Sequence, residues 1–132
     1  MIRSLFNVLL VLWAGSLWSM AIWVAPTLFF AQGDRHLAGL LAGRLFAIET
    51  YVGIAVAVLA LLLPVRAKFM RGFLAAALLA LNEWALRPAM AAAHARGSFA
   101  GLTFGAWHGV SALLYGLAGL ALLLLVWNEE FR

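Results

Sequence analysis

Four apolar runs, each separated from the next by a short polar or basic segment, organise the chain. The first goes from Leu5 to Phe30, behind Arg3. Gln32-Gly33-Asp34-Arg35-His36 interrupts it, and a second run reaches from Leu37 to Leu63. Pro64-Val65-Arg66-Ala67-Lys68-Phe69-Met70-Arg71 is the most basic break, and His94-Ala95-Arg96-Gly97-Ser98 follows the third run. The last run ends at Trp127, before the tail Asn128-Glu129-Glu130-Phe131-Arg132. Roughly 20 apolar helical residues cross a hydrocarbon core of about 30 Å. The pattern therefore predicts an all-α, integral membrane four-helix bundle. It forms one domain over 1–132, with helices at about 5–31, 37–63, 71–93 and 102–127.

Local signals sharpen these limits. The first run is too long and too rich in Trp for a cleaved signal peptide, so a retained first helix is expected. Gly33 suits the end of one helix and Asp34 the N-cap of the next. Pro64 stops the second helix, and Pro26 and Pro88 lie within helical patterns, where a missing N–H predicts kinks. Gly15, Ser19, Ile22 and Pro26 share one stripe of the first helix that would let a neighbour pack close. Gly39 and Gly43 form a small-x-x-x-small pair on the second, continued by Phe46, Thr50, Gly53 and Ala57, and are read as helix-packing positions.

Composition narrows the class of protein. Of 132 residues, 67% are hydrophobic, more apolar surface than a soluble domain of this size can bury. The net charge is +4, with pI near 10.8, but the basic residues are few and dispersed between apolar runs. They read as topology signals and contacts to anionic lipid, not as a nucleic-acid surface. Without Cys there is no disulfide, thiolate ligand or nucleophilic thiol. Four spans put both termini on one side, with Arg3, Arg66, Lys68, Arg71 and Arg132. The basic bias of loops and ends places that side in the cytoplasm.

The candidate chemistry lies in the charges inside the apolar runs. Glu83 and Arg87 stand four apart on one helical face, in the favourable order. Each charge costs roughly 2.5–3.5 kcal/mol at a bilayer centre unless it finds a partner or a wet cavity. Counting about 20 residues inward from the cytoplasmic side brings Trp23, Arg44, Arg87, Trp107 and His108 near the outer boundary. Glu49 and Glu83 fall about one turn deeper. Arg44 and Glu49, five apart, point to different sides and are expected to pair with other helices. A polar intramembrane cluster of Arg44, Glu49, Asn82, Glu83, Arg87, His108 and Ser111 follows, with two formal charges of each sign. It is the candidate binding site. His108 is the candidate metal ligand, but no two His stand at i, i+3 or i, i+4 and no HExxH or CxxC occurs. There is no Ser-His-Asp pattern, phosphate loop or dinucleotide fingerprint, so no catalytic residue is assigned and the chain reads as non-enzymatic.

Four stretches carry a family likeness: Trp18–Phe29 (WSMAIWVAPTLF), Ala42–Phe46 (AGRLF), Asn82–Met90 (NEWALRPAM) and His108–Ser111 (HGVS). In order and spacing they resemble the transmembrane protein 205-like family, a bacterial membrane domain of unknown function. The resemblance covers nearly the whole chain and implies a four-helix integral membrane protein without an assigned activity. It carries over Pro26, Arg44, Asn82, Glu83, Arg87, Pro88, His108 and Ser111. A looser likeness joins the chain to four-helix membrane proteins of the CopD and HemJ types, which are linked to copper and haem. Here the first helix has no His, and the single Lys, Lys68, lies in a loop.

Together these readings predict a protein of the bacterial inner membrane, both termini cytoplasmic, partnered by the bilayer and by copies of itself or a larger membrane complex. Its expected role is a scaffold or accessory subunit locked by its polar layer, with no cofactor. The alternative is a binding or transport protein for a small ligand, copper or haem.

Overall fold

A computed structural model describes residues 1–65 and 68–130, with backbone alone for Glu129 and Glu130. Arg66 and Arg132, two of the residues behind the expected orientation, lie outside the described residues.

The described residues are almost wholly helical. α1 (Ile2–Ser19) runs through a π-helical turn (Met20–Val24) into α2 (Ala25–Ala31), making one continuous rod. α3 spans Arg35–Leu62. α4 (Met70–Leu81) continues through a second π turn (Asn82–Leu86) into α5 (Arg87–Arg96). α6 spans Phe104–Glu130. The rods begin or end up to three residues from the expected limits, because polar residues at their ends still complete helical turns. Asp34 caps α3 by accepting from the amides of His36 at 2.9 Å and Leu37 at 3.2 Å. Gly97, at φ +85°, ends α5 three residues later than expected. Leu102 is not the first residue of α6. It pairs its backbone with Phe99 in a tight turn, and the Thr103 hydroxyl then accepts from Ala106 at the helix start.

Each intrahelical proline follows one of the π turns. Pro26 and Pro88 have no N–H to give, and their rings would press on the carbonyl four residues back. Widening the preceding turn relieves that clash. Ala25 N–H then reaches the Met20 carbonyl and Arg87 N–H the Asn82 carbonyl, one residue beyond the α-helical partner.

The rods pack as a closed ring. α1 lies on α3, α3 on α4, α4 and α5 on α6, and α6 back on α1. The interior joins large side chains (Trp13, Leu17, Phe69, Leu79, Leu122) to alanines that bring backbones close, including Ala60, Ala75 and Ala118. Phe46 of α3 and Tyr115 of α6 meet edge to face at 4.9 Å across the centre. The outside is as apolar as the inside: Leu12, Leu62 and Leu113 are among many large hydrophobics left exposed. A surface of this kind requires a lipid solvent. Three stretches, Ile2–Ala31, Arg35–Leu62 and Phe104–Asn128, are long and apolar enough to cross a membrane. The Asn82–Arg87 polar stretch keeps the Met70–Arg96 rod out of that group. The chain is therefore an all-helical, multi-pass membrane protein.

The expected packing stripe of the first rod is corrected, whereas that of α3 holds except at Gly39: Thr50 and Gly53 are buried, and Phe46 and Ala57 pack against the core. Gly15 has open space beside it, and Ser19, Ile22 and Pro26 are exposed, so that stripe of the first rod faces outward. The opposite face, with Trp13 and Leu17, fills the interior instead. Gly39 likewise meets nothing. The close approach of α1 and α3 occurs lower down, where Gly53 lies against the Trp13 indole. A Cβ at Gly53 would stand 2.5 Å from Trp13 Cζ2.

Candidate functional site: polar contacts between the helices

The intramembrane polar side chains do not gather at one point. They divide into groups, each joining two neighbouring rods. Glu83 and Arg87 form the ion pair their spacing predicts, at 2.5 Å, with Glu83 13% and Arg87 38% exposed. The same guanidinium nitrogen donates to the Gly43 carbonyl on α3 at 3.2 Å. Gly43 is thus more than a packing residue: a Cβ there would sit 3.0 Å from Arg87 Nη2, so the missing side chain makes room for the guanidinium. One turn away, the Ser111 hydroxyl of α6 donates to Asn82 Oδ1 at 2.5 Å.

Glu49 belongs to another group. It is 5% exposed, and its Oε1 accepts from the Ser16 hydroxyl of α1. Among the described residues its Oε2 has no partner, and neither has the buried Trp13 Nε1. Thr50, beside it, donates to the Phe46 carbonyl of its own helix at 3.1 Å and makes a long contact, 3.5 Å, to the Leu79 carbonyl of α4.

Arg44 and His108 stand apart from these groups. Both are exposed, and His108 stacks on Phe104, centroids 6.1 Å apart. His94, on α5, meets the same Phe104 ring edge-on at 5.5 Å, so two histidines flank one aromatic near the 97–103 turn. No group of three His, Asp or Glu among the described residues could hold a metal ion.

Three contacts had no signal in the sequence. Tyr115 OH donates to the Leu17 carbonyl at 2.9 Å and Trp18 Nε1 to the Gly119 carbonyl at 3.1 Å, both between α6 and α1. Arg71 reaches the Leu124 carbonyl of α6 at 3.4 Å. The acceptors are backbone carbonyls, which every residue carries, so periodicity could not have marked them. Each adjacent pair in the ring now holds at least one cross-helix hydrogen bond of 3.2 Å or less. Ser16–Glu49 joins the first rod to α3 and Arg87–Gly43 joins α3 to the third rod. Ser111–Asn82 joins the third rod to α6, and Tyr115–Leu17 with Trp18–Gly119 closes α6 on the first.

Such bonds average about 0.6 kcal/mol in membrane helices. The five short ones are therefore worth about 3 kcal/mol together. They also avert the larger cost of leaving the same groups alone in hydrocarbon.

A family model described as a domain of unknown function, DUF4149, matches residues 8–99. The match takes in the first three rods with Gly43, Glu49, Asn82, Glu83, Arg87 and both intrahelical prolines, and stops short of α6. Comparison with curated proteins and with solved structures gives no significant match. With more than half its length matched, the chain belongs to the DUF4149 family of domains of unknown function.

Proposed function

We propose that the chain is a four-span protein of the bacterial inner membrane, with both termini in the cytoplasm, and that it acts as a non-enzymatic scaffold or accessory subunit. The reading rests on one observation: the short cross-helix hydrogen bonds are distributed one or two to each helix–helix interface. Side chains engaged in joining one helix to the next leave few free donors for a ligand. The third rod completes the four spans, because the two charges in its middle, Glu83 and Arg87, satisfy each other and the Gly43 carbonyl. The likeness to the transmembrane protein 205-like family agrees with a membrane role of this kind.

A second reading, a carrier for a small ligand, copper or haem, has a single observation behind it. Glu49 Oε2 and Trp13 Nε1 are both buried without a partner among the described residues, on facing helices that touch at Gly53. An acceptor and a donor left open together suit a bound water or a molecule as small. One experiment separates the readings. The purified protein is examined by absorption spectroscopy and metal analysis, and the Glu83→Gln variant by thermal unfolding. The scaffold reading expects a colourless, metal-free protein whose variant melts earlier. A stoichiometric Soret band or one metal ion per chain would replace it with the second reading.

A further inference from the structure

The start of α1, Pro64, Val65, Lys68 and Phe69 after α3, and Leu125 of α6 line a hollow of about 120 Å³ at the end of the bundle where the chain begins. Its floor is apolar, made by Phe6, Phe69 and Leu125, all buried. The floor is held in place. Phe69 meets Phe6 edge to face at 5.2 Å and Phe73 at 5.1 Å. Its ring lies over Gly72, where a Cβ would stand 2.2 Å from Phe69 Cζ. The rim is polar and basic. Arg3 and Asn7 occupy one face of α1, a turn apart, and Lys68 enters from the loop. Arg3 and Lys68 are exposed, and no acidic side chain lines the hollow among the described residues.

We propose that this hollow binds the phosphodiester headgroup of an anionic phospholipid. Arg3 and Lys68 supply two positive charges and the Asn7 carboxamide an N–H donor, a set that matches a phosphate and has no counter-ion of its own among the described residues. The size agrees. About 150 Å³ holds a benzene, so a hollow slightly smaller takes a phosphate with its ester carbons but not an acyl chain. The chains have somewhere else to go: Leu5 and Leu62, within two residues of the lining Phe6 and Pro64, are exposed apolar side chains. Basic pockets between membrane helices recognise acidic headgroups on this principle. Scattered basic residues would attract anionic lipid anywhere on this surface. The concave floor beneath the pair is what makes a site. The inference stands apart from the scaffold reading, since no cross-helix hydrogen bond described above uses these residues.

The full chain, in phosphatidylcholine nanodiscs, is titrated with phosphatidylglycerol, with further phosphatidylcholine and with inorganic phosphate, and its thermal unfolding is followed. Phosphatidylglycerol is expected to raise the midpoint saturably, and the other two to leave it unchanged. A basic residue near a membrane surface is worth about 1 kcal/mol toward anionic lipid, roughly a fivefold change in affinity. Arg3→Gln with Lys68→Gln should therefore weaken the effect roughly 30-fold, and Lys68→Arg should preserve it. Arg35→Gln with Arg96→Gln, at the other end, should change nothing. Equal responses to the two lipids, an effect that survives the first double variant, or an equal loss in the second would each overturn the site. A midpoint raised by inorganic phosphate alone would assign the hollow to a soluble anion and overturn the lipid.

Discussion

Removing Arg87 should damage the bundle far more than neutralising Glu83, and the geometry gives the reason. Glu83 is 13% exposed, and its one partner among the described residues is the Arg87 guanidinium at 2.5 Å. Arg87→Met keeps an unbranched apolar stem but leaves a carboxylate alone between helices and takes a donor from the Gly43 carbonyl. Stranding a charge costs about 2.5–3.5 kcal/mol at the bilayer centre, which is the upper limit for Glu83, expected about one turn inside the outer boundary. Loss of the bond to Gly43 adds about 0.6 kcal/mol. Glu83→Gln leaves a different situation. Arg87 is 38% exposed, still donates to Gly43, and can extend toward the headgroups, so the loss is about 0.5–1 kcal/mol, as for a partly exposed pair. The double variant is the sharper test. With Glu83 already neutral, Arg87→Met strands nothing, so the pair of changes should cost less than Arg87→Met alone. Unfolding by sodium dodecyl sulfate in mixed micelles, followed by Trp fluorescence, measures all three. Equal losses in the two single variants, adding in the double, would refute the claim that Arg87 compensates Glu83.

Further outcomes follow from the packing and the topology. Gly53→Ala should cost about 1–3 kcal/mol by forcing a methyl against the buried Trp13 indole, whereas Gly39→Ala, with open space beside it, should be neutral; the same unfolding assay reads both. Tyr115→Phe keeps the ring contact with Phe46 and loses the bond to Leu17, so a destabilisation of about 0.6 kcal/mol, and not above about 1.7, is expected. Because the chain has no Cys, single substitutions report sidedness directly. In intact cells an impermeant maleimide should label Ser98→Cys and leave Lys68→Cys unlabelled, and the reverse pattern would invert the proposed topology.

The helical rods were legible because a long apolar run has few alternatives in lipid, and the Asp34 cap and the two prolines act through their own backbone neighbours. The Glu83–Arg87 pair was legible for the same reason, being set by the pitch of one helix. What one helix cannot encode is which face it turns to its neighbours. Gly15, Ser19 and Pro26 have the small or flat outlines of a packing stripe, yet Trp13 and Leu17 take the interior. Larger side chains fill the centre, and small residues opposite them, such as Gly53, set the distance. The same blindness hid the partner of Glu49. Ser16 is an ordinary polar residue in an apolar run until the rotation of α1 brings it to α3. Gly43, Leu17 and Gly119 accept through carbonyls, which leave no trace in residue type.

Paramagnetic relaxation from nitroxide-labelled lipid acyl chains, read by NMR on the protein in nanodiscs, tests most directly whether the polar side chains turn to one another and the apolar ones to lipid. Signals of Glu49, Thr50, Asn82 and Glu83 should keep most of their intensity, while those of Leu12, Leu62 and Leu113 are strongly attenuated. Attenuation of Glu49 and Glu83 equal to that of Leu12 would contradict the account.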